Sequence, residues 1–279
     1  MMFSTKQNLL NDLCVGHVNV YHLVNKTHEI VTSLNCNQSI HILGVTETRL
    51  KHYHSNDIIS IPDYSFIRQD AVFPGHAGIG VYIHNKVKPY ISRRHDLELP
   101  ELECIWLELR PHLKSPVLIC FLYRNPSENS RWHDMFVSMM DNVNALNLNT
   151  VILGDFNINL LLTQQSWETT TNTLGLTQLI SQPTRITNTS STLIDHIYTN
   201  NPHVVYYARV DQTALSDHYP ILCNLSFKMP RNKQKGHTYI QYRTFKHFNR
   251  DNFLFDLSQL NFDCVTNFFR PRGSSYSAT

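Results

Sequence analysis

The sequence predicts an α/β architecture with mixed β-sheets. Three observations point to it. Short apolar runs such as Val117–Tyr123 and Val151–Gly154 have the length and composition of buried strands. Amphipathic stretches with helical spacing stand between several of these runs. The strands outnumber the helices without strict alternation, which separates the chain from a pure βαβ series.

In order, Cys14–Val20 alternates enough to be a strand and ends near Asn19. Leu23, Ile30, Val31 and Leu34 recur at helical spacing, predicting an amphipathic helix over 22–35. Ile40–Val45 is a second apolar strand, running into Thr46-Glu47-Thr48-Arg49. Residues 51–75 read as loop, with Pro62-Asp63 and Phe73-Pro-Gly-His76 as breakers. Ala77–His84 is a strand with glycines on one side, closed by Asn85-Lys86. Glu103–Leu109 alternates as a strand, 111–116 is a turn, and Val117–Tyr123 is a buried strand.

Ser130 is placed to cap a helix whose apolar face is Trp132, Met135, Phe136, Met139 and Val143. Val151–Asn157 follows as a strand and its mouth. Leu174–Ile180 predicts the end of a further helix, and Thr184–Ser191 a polar loop. Leu193–Thr199 is a strand with an acid inside it, and Val204–Val210 another. Leu215-Ser-Asp-His218 is a polar turn before the closing strand Tyr219–Leu225. Beyond Phe227 the pattern weakens. Residues 228–250 carry Lys228, Arg231, Lys233, Lys235, Arg243, Lys246 and Arg250 with no acid among them. Phe253–Leu257 suggests one more short helix, and 273–279 reads as unstructured. The expected organisation is a lead over 1–12, a domain over 13–227, and a basic linker and tail over 228–279.

Composition narrows the function classes. A chain of 279 residues with 42% hydrophobic content suits a substantial globular core. A net charge of +2 and a pI near 8.2 do not by themselves mark a nucleic-acid binder. The sixteen histidines are scattered without the pairing of a zinc site, and the six cysteines show no C-x-x-C spacing. They read as reduced thiols of an intracellular protein. No apolar run approaches the ~18–20 residues of a membrane span, and Met1–Asn8 lacks the design of a signal peptide.

The chemistry is carried by polar residues that follow or interrupt apolar strands. Val151-Ile-Leu-Gly-Asp-Phe-Asn157 places Asp155 and Asn157 two positions apart, on one face of an extended chain. Asn19, Glu47, Tyr123, Asp195, Asp217 and His218 occupy comparable places. Carboxylates, amides and one Asp-His pair suit a hard divalent cation such as Mg²⁺, which takes one or two carboxylates and keeps several waters. Sites of this kind act on phosphate esters by positioning and charge neutralisation. Taken singly, each residue has a plainer reading. Asp155 and Asn157 make an ordinary turn, Glu47 an exposed acid, Asp217-His218 a cap or turn, and Asn19 and Tyr123 scaffold. Asp195 within an apolar strand is harder to set aside, since a buried acid is costly unless paired.

The order of these motifs resembles the endonuclease/exonuclease/phosphatase superfamily. The matching runs are Asn19 in His17-Val-Asn-Val20, Glu47 in Gly44-Val-Thr-Glu-Thr48, Tyr123-Arg124 in Leu122-Tyr-Arg-Asn-Pro126, Gly154-Asp-Phe-Asn157, Asp195 in Leu193-Ile-Asp-His-Ile197, and Ser216-Asp-His218. Within it the chain is most similar to the endonuclease domain of non-LTR retrotransposon polyproteins. Ala77–Asn85, Leu122–Ser127 and Ser191–Asn200 carry that likeness. Departures are the few glycines in Gly75-His76-Ala77-Gly78 and Asn125 where a proline is common.

The resemblance implies a four-layer α/β sandwich of two packed mixed β-sheets flanked by helices, as in deoxyribonuclease I. It implies a Mg²⁺-dependent phosphodiesterase, with Mn²⁺ as a substitute, that nicks DNA to leave 3′-hydroxyl and 5′-phosphate ends. Glu47 would hold the metal with help from Asn19 and Asp217. Asp155 would orient or deprotonate the attacking water, and Asn157 would bond a phosphate oxygen or that water. His218 would stabilise the transition state, held by Asp195, and Tyr123 would bond the phosphate. Arg124 would contact the backbone, and Ser216 would join it in binding phosphate. The expected partners are DNA and a reverse transcriptase module outside this chain, with no membrane. Nuclear access is expected, though no targeting signal is clear. Alternatives are a lipid or inositol phosphate phosphoesterase of the same fold, or an inactive nucleic-acid-binding remnant.

Overall fold

The computed structural model describes residues 12–36, 40–71, 76–110, 115–128, 130–213, 215–228 and 248–259. The chain divides into two units, 1–231 and 232–279. In the first, β1 (Asp12–Asn19) leads through α1 (Leu23–Cys36) into β2 (Ile40–Thr46). β3 (Tyr64–Gln69) and β4 (Ile79–His84) follow, then the short β5 (Ile91–Arg93), β6 (Glu103–Leu109) and β7 (Val117–Tyr123). A second crossover runs from β7 through α2 (Ser130–Asn144) into β8 (Asn149–Asp155). After α3 (Gln165–Thr173) come β9 (Thr177–Gln178), the hairpin β10 (Arg185–Ile186) and β11 (Ser191–Thr192), β12 (Asp195–Thr199), β13 (Val205–Val210) and β14 (Ile221–Lys228).

The strands form two six-stranded sheets, β13-β14-β1-β2-β4-β3 and β5-β6-β7-β8-β12-β9. β1–β2 and β7–β8 are the parallel pairs, each joined by a helix as parallel pairing requires. The other pairings within the sheets are antiparallel, so both sheets are mixed.

Three apolar clusters fill the layers. Ile42, Val81, Ile119, Phe121 and Leu153 lie among the residues packed between the sheets. Trp132, Phe136, Met139 and Val143, the face predicted for α2, pack with Trp106, Cys120 and Ile152 on the outer side of the second sheet. Leu23, Ile30 and Leu34 of α1 pack with Leu43, Val45 and Tyr82 on the outer side of the first. The order helix, sheet, sheet, helix is the four-layer sandwich expected. Gly44 sets the approach of the sheets, because a Cβ there would stand 2.0 Å from the Phe121 ring.

Three expectations change. The stretch 51–75 contains the edge strand β3, whose residues are all half-buried and so show no two-faced alternation. Leu174–Ile180 does not end a helix: α3 stops at Thr173, Leu174 caps it, and Thr177–Gln178 pairs with β12. The polar stretch 184–191 carries the β10–β11 hairpin. Cys14, Cys104, Cys120 and Cys223 are buried free thiols. The lead 1–11, residues 72–75, most of the 111–116 turn, the basic positions Arg231 to Lys246 and the 273–279 tail lie outside the described residues. In the second unit, α4 (Arg250–Ser258) covers the short helix expected at 253–257, its N-terminus capped by Asn249 Oδ1. Among the described residues no helix is long and apolar enough to cross a membrane.

Candidate active site

Strand register assembles one side of the site. Glu103, Tyr123, Asp155 and Asp195 are successive cross-strand partners on β6, β7, β8 and β12. Side chains at paired positions share a face of a sheet, so four polar groups form a row at one end of the second sheet. The first sheet faces this row with Asn19, which ends β1, and Glu47, which follows β2.

Asn19 joins the two sheets. Its Nδ2 donates to Glu47 Oε1 at 2.9 Å and to Asp155 Oδ2 at 2.8 Å, while its Oδ1 accepts from the Tyr21 amide. Glu47 Oε1 also accepts from the Tyr123 hydroxyl at 3.2 Å, and its Oε2 pairs with Arg49 Nη2 at 2.9 Å. The chain turns sharply here, with φ of +54° at Tyr21, +50° at Glu47 and +53° at Arg49. Glu47 opens onto a cavity of about 560 Å³ lined by His22, Arg49, Lys51, Tyr53, His54 and Tyr123 among others.

The other side is more deeply buried. Asp155, Asp195 and His218 are all buried, and their ligand atoms lie within 4.8 Å of one another. His218 Nδ1 is 2.9 Å from Asp195 Oδ2. The Asp195 backbone amide donates to Thr184 Oγ1. Asp195 Oδ1 lies 3.8 Å from His17 Nδ1, and neither atom has a hydrogen bond. Asp155 Oδ1 accepts from the Asn157 amide at 3.0 Å, and Asn157 sits at φ +50°.

These surroundings move the proton affinities. Burial, then the neighbouring Asp195, pushes the Asp155 carboxyl up to about 7, against His218 and the Asn19 hydrogen bond. Burial works to raise the Asp195 carboxyl too, but His218 overrides it and holds it below the usual range. Burial opposes charge on His218, yet Asp195 prevails and raises the imidazole to about 9. Burial lowers His17 to about 4, with Asp195 opposing. The dyad is therefore an imidazolium–carboxylate pair at neutral pH, beside a carboxyl poised near neutrality.

The sequence-predicted residues divide on this geometry. Asn19, Glu47, Tyr123, Asp155, Asp195 and His218 come together. Asn157 adjoins them, but its Nδ2 donates to the Arg124 carbonyl at 2.8 Å. Arg124 is turned inward: its guanidinium donates to the carbonyls of Phe156 and Glu128 and lies over Trp132. In this arrangement the Arg124 side chain braces its own loop. Ser216 also acts on the scaffold, its hydroxyl donating to the Asn19 carbonyl at 2.6 Å. Asp217 stands apart, with its side chain 42% exposed and bonded to Arg185 Nε at 2.7 Å. Its neighbour His218 points into the site instead.

Three buried groups escaped the sequence reading. His17 lies two positions before Asn19 on the same strand face, and that spacing was the available signal. Thr184 holds the Ile194 and Asp195 amides from a distant loop. Glu103 is 4% exposed, accepts from the Ala77 and Gly78 amides, and is raised to about 7 by burial. An acid leading an apolar strand was its only local mark.

Residues 16–218 match the Endonuclease/Exonuclease/phosphatase family. No curated protein matches the chain. Among solved structures, the endonuclease domain of TRAS1, a telomere-specific non-LTR retrotransposon, superposes with a TM-score of 0.58 at 14% identity, over 77% of this chain and 98% of that one. The AP endonuclease LMAP from Leishmania major gives 0.64 at 13% identity, over 79% and 89%. The 3′ phosphatase NExo from Neisseria, bound to a product DNA hairpin, gives 0.59 at 16% identity, over 77% and 100%. At these identities the likeness is one of fold.

Proposed function

Because the chain belongs to the Endonuclease/Exonuclease/phosphatase family, we propose that it is a Mg²⁺-dependent phosphodiesterase that nicks DNA, leaving 3′-hydroxyl and 5′-phosphate ends. The supporting observation is the convergence of Glu47 and Asp155, from facing sheets, on the single Asn19 amide beside the Asp195–His218 dyad. That donor set fits a hard divalent cation, which favours one or two carboxylate oxygens with water completing the shell. Glu47 borders an open cavity where a hydrated ion and a phosphate have room. DNA as the substrate is supported by the abasic-site endonuclease and DNA-bound phosphatase among the similar folds.

When bound, Mg²⁺ supplies charge neutralisation at the scissile phosphate and the leaving 3′ oxygen, and Mn²⁺ is the expected substitute. Glu47 is the ligand, oriented by Asn19 and Tyr123. Asp155 takes the proton of the attacking water, steadied by Asn19 and the Asn157 amide. His218 keeps Nδ1 on Asp195 and presents its Nε2 proton to a non-bridging phosphate oxygen. Arg124 and Ser216 hold the loops that carry these groups.

Supercoiled plasmid incubated with the protein and Mg²⁺ should become open circles whose 3′ ends a polymerase extends. Chelation should stop the reaction, and Asp155→Ala should be nearly inert. Absence of nicking by the wild type, or equal nicking by Asp155→Ala, overturns the proposal. Release of phosphate or phosphocholine without nicking would assign the fold to phosphoesterase chemistry on another substrate.

A further inference from the structure

We infer that Glu103 is a positioning residue for Glu47, acting through the backbone of Ala77 and Gly78. The inference rests on the reading of Glu47 as the cation ligand. Glu103 is buried at the start of β6. Its carboxylate accepts from the Gly78 amide at 2.6 Å, and both its oxygens lie 3.0 Å from the Ala77 amide. Those two residues pass the restraint on. The Gly78 carbonyl accepts from the Thr48 amide at 3.1 Å, and the Ala77 carbonyl from the Arg49 amide at 2.8 Å. Thr48 and Arg49 directly follow Glu47, so this relay holds the turn in which Glu47 keeps its left-handed backbone.

Two further features fit this role. Among the described residues no cation pairs with Glu103, so its two acceptor oxygens are committed to backbone donors. Only an acidic side chain offers two acceptors and no donor to adjacent N–H groups. Gly78 itself has φ +84°, and a Cβ on it would stand 2.6 Å from Thr48 Oγ1. The loop therefore meets the Glu47 turn at a fixed, close contact. A left-handed acidic residue is held only where its surroundings over-determine it, and the Glu103 relay supplies that restraint.

The test uses the full chain and Mn²⁺ as probe. In Glu103→Gln, Mn²⁺ affinity measured by electron paramagnetic resonance should fall roughly 10- to 100-fold, the range for groups that orient a metal ligand. The Mg²⁺ needed for half-maximal nicking should rise in parallel, with turnover recovering at saturating Mg²⁺. Gly78→Ala attacks the same relay while leaving the carboxylate in place, and it should show the same split. Unchanged Mn²⁺ affinity in both variants, with only melting temperature or turnover lowered, overturns the inference. If the wild type binds Mn²⁺ yet does not nick DNA, the nuclease reading fails and the Mn²⁺ titration still judges Glu103. If the wild type binds no Mn²⁺, both fall.

Discussion

The two strand–helix–strand crossovers are built alike and end differently. β1-α1-β2 and β7-α2-β8 are both parallel pairs joined by one helix, and each delivers polar side chains at its strand ends. The first leaves its strands through left-handed residues and opens Glu47 to a cavity with Arg49 and Lys51 on its wall. The second is covered: β12 pairs beside Asp155 and brings Asp195, and the turn between β13 and β14 lays His218 against it. One unit thus presents a wet carboxylate and the other a dry one. A hydrated cation must enter and exchange, which needs the open end. Proton affinities move far only where water is excluded, which needs the closed one. What covers a strand end, more than the strand itself, separates the two roles.

The largest expected effect breaks or sharpens that division directly. His218→Ala should lower the nicking rate about 10²–10³-fold, as loss of one preorganised electrostatic donor does, and added Mg²⁺ should not restore it. Glu47→Gln should be comparably slow at low Mg²⁺ and recover in part as Mg²⁺ is raised. Equal rescue of both variants in a Mg²⁺ titration would erase the distinction between the wet and dry ends.

A second effect tests the dry side through stability. His196 on β12 is fully buried, stacked on Phe156 and bonded to the Ile158 carbonyl, and burial lowers its pKa to about 4. Between about 4 and its ordinary 6.5 the unfolded chain binds a proton that the folded one refuses. Its neutral, bonded form is therefore fully supported above that window, and stability is lost as pH falls through it. At about 1.4 kcal/mol per unit of pKa difference, the His196 share of the change from neutral to mildly acid buffer is a loss of a few degrees in melting temperature, against opposite shares from the Asp155 and Glu103 carboxyls, which the fold raises to about 7. His196→Gln should flatten part of that slope, and an unchanged slope would place His196 in contact with solvent.

The smallest effect lies on the rim. The Asp217–Arg185 pair is exposed on both partners, and such pairs contribute about 0–1 kcal/mol. Asp217→Asn should barely change the melting temperature or the nicking rate. A hundredfold loss of rate would return Asp217 to the site and extend the dry end outward.

Legibility in the sequence followed how local each signal is. The α2 face from Trp132 to Val143 and the buried β7 and β8 runs repeat within a few residues, and they are found where their periodicity puts them. β3 escaped because an edge strand half-buried throughout has no alternation to read. α3 escaped because its one large buried side chain is Trp167, while Leu174 and Leu176 beyond it mimic a helical face. Asn19, Glu47, Asp155, Asp195 and His218 were legible because polar residues at the ends of apolar strands are unusual and fall in a family order. The carbonyls that Arg124 and Ser216 bond in the fold were not legible, because sequence shows their donors and not those partners.

The sequence by itself determined the strand ends, the helices of the two crossovers and the chemical types gathered for phosphate ester work, all encoded by near neighbours along the chain. Only the tertiary structure decided that Asn19 binds two carboxylates from opposite sheets, that Asp217 faces Arg185 while His218 faces Asp195, and that Glu103 stands beneath the Glu47 turn. The reason is physical: register and burial are set by partners far away in sequence. The desolvation that poises Asp155 and the Asp195 carboxylate that keeps His218 charged act there only once those partners come together.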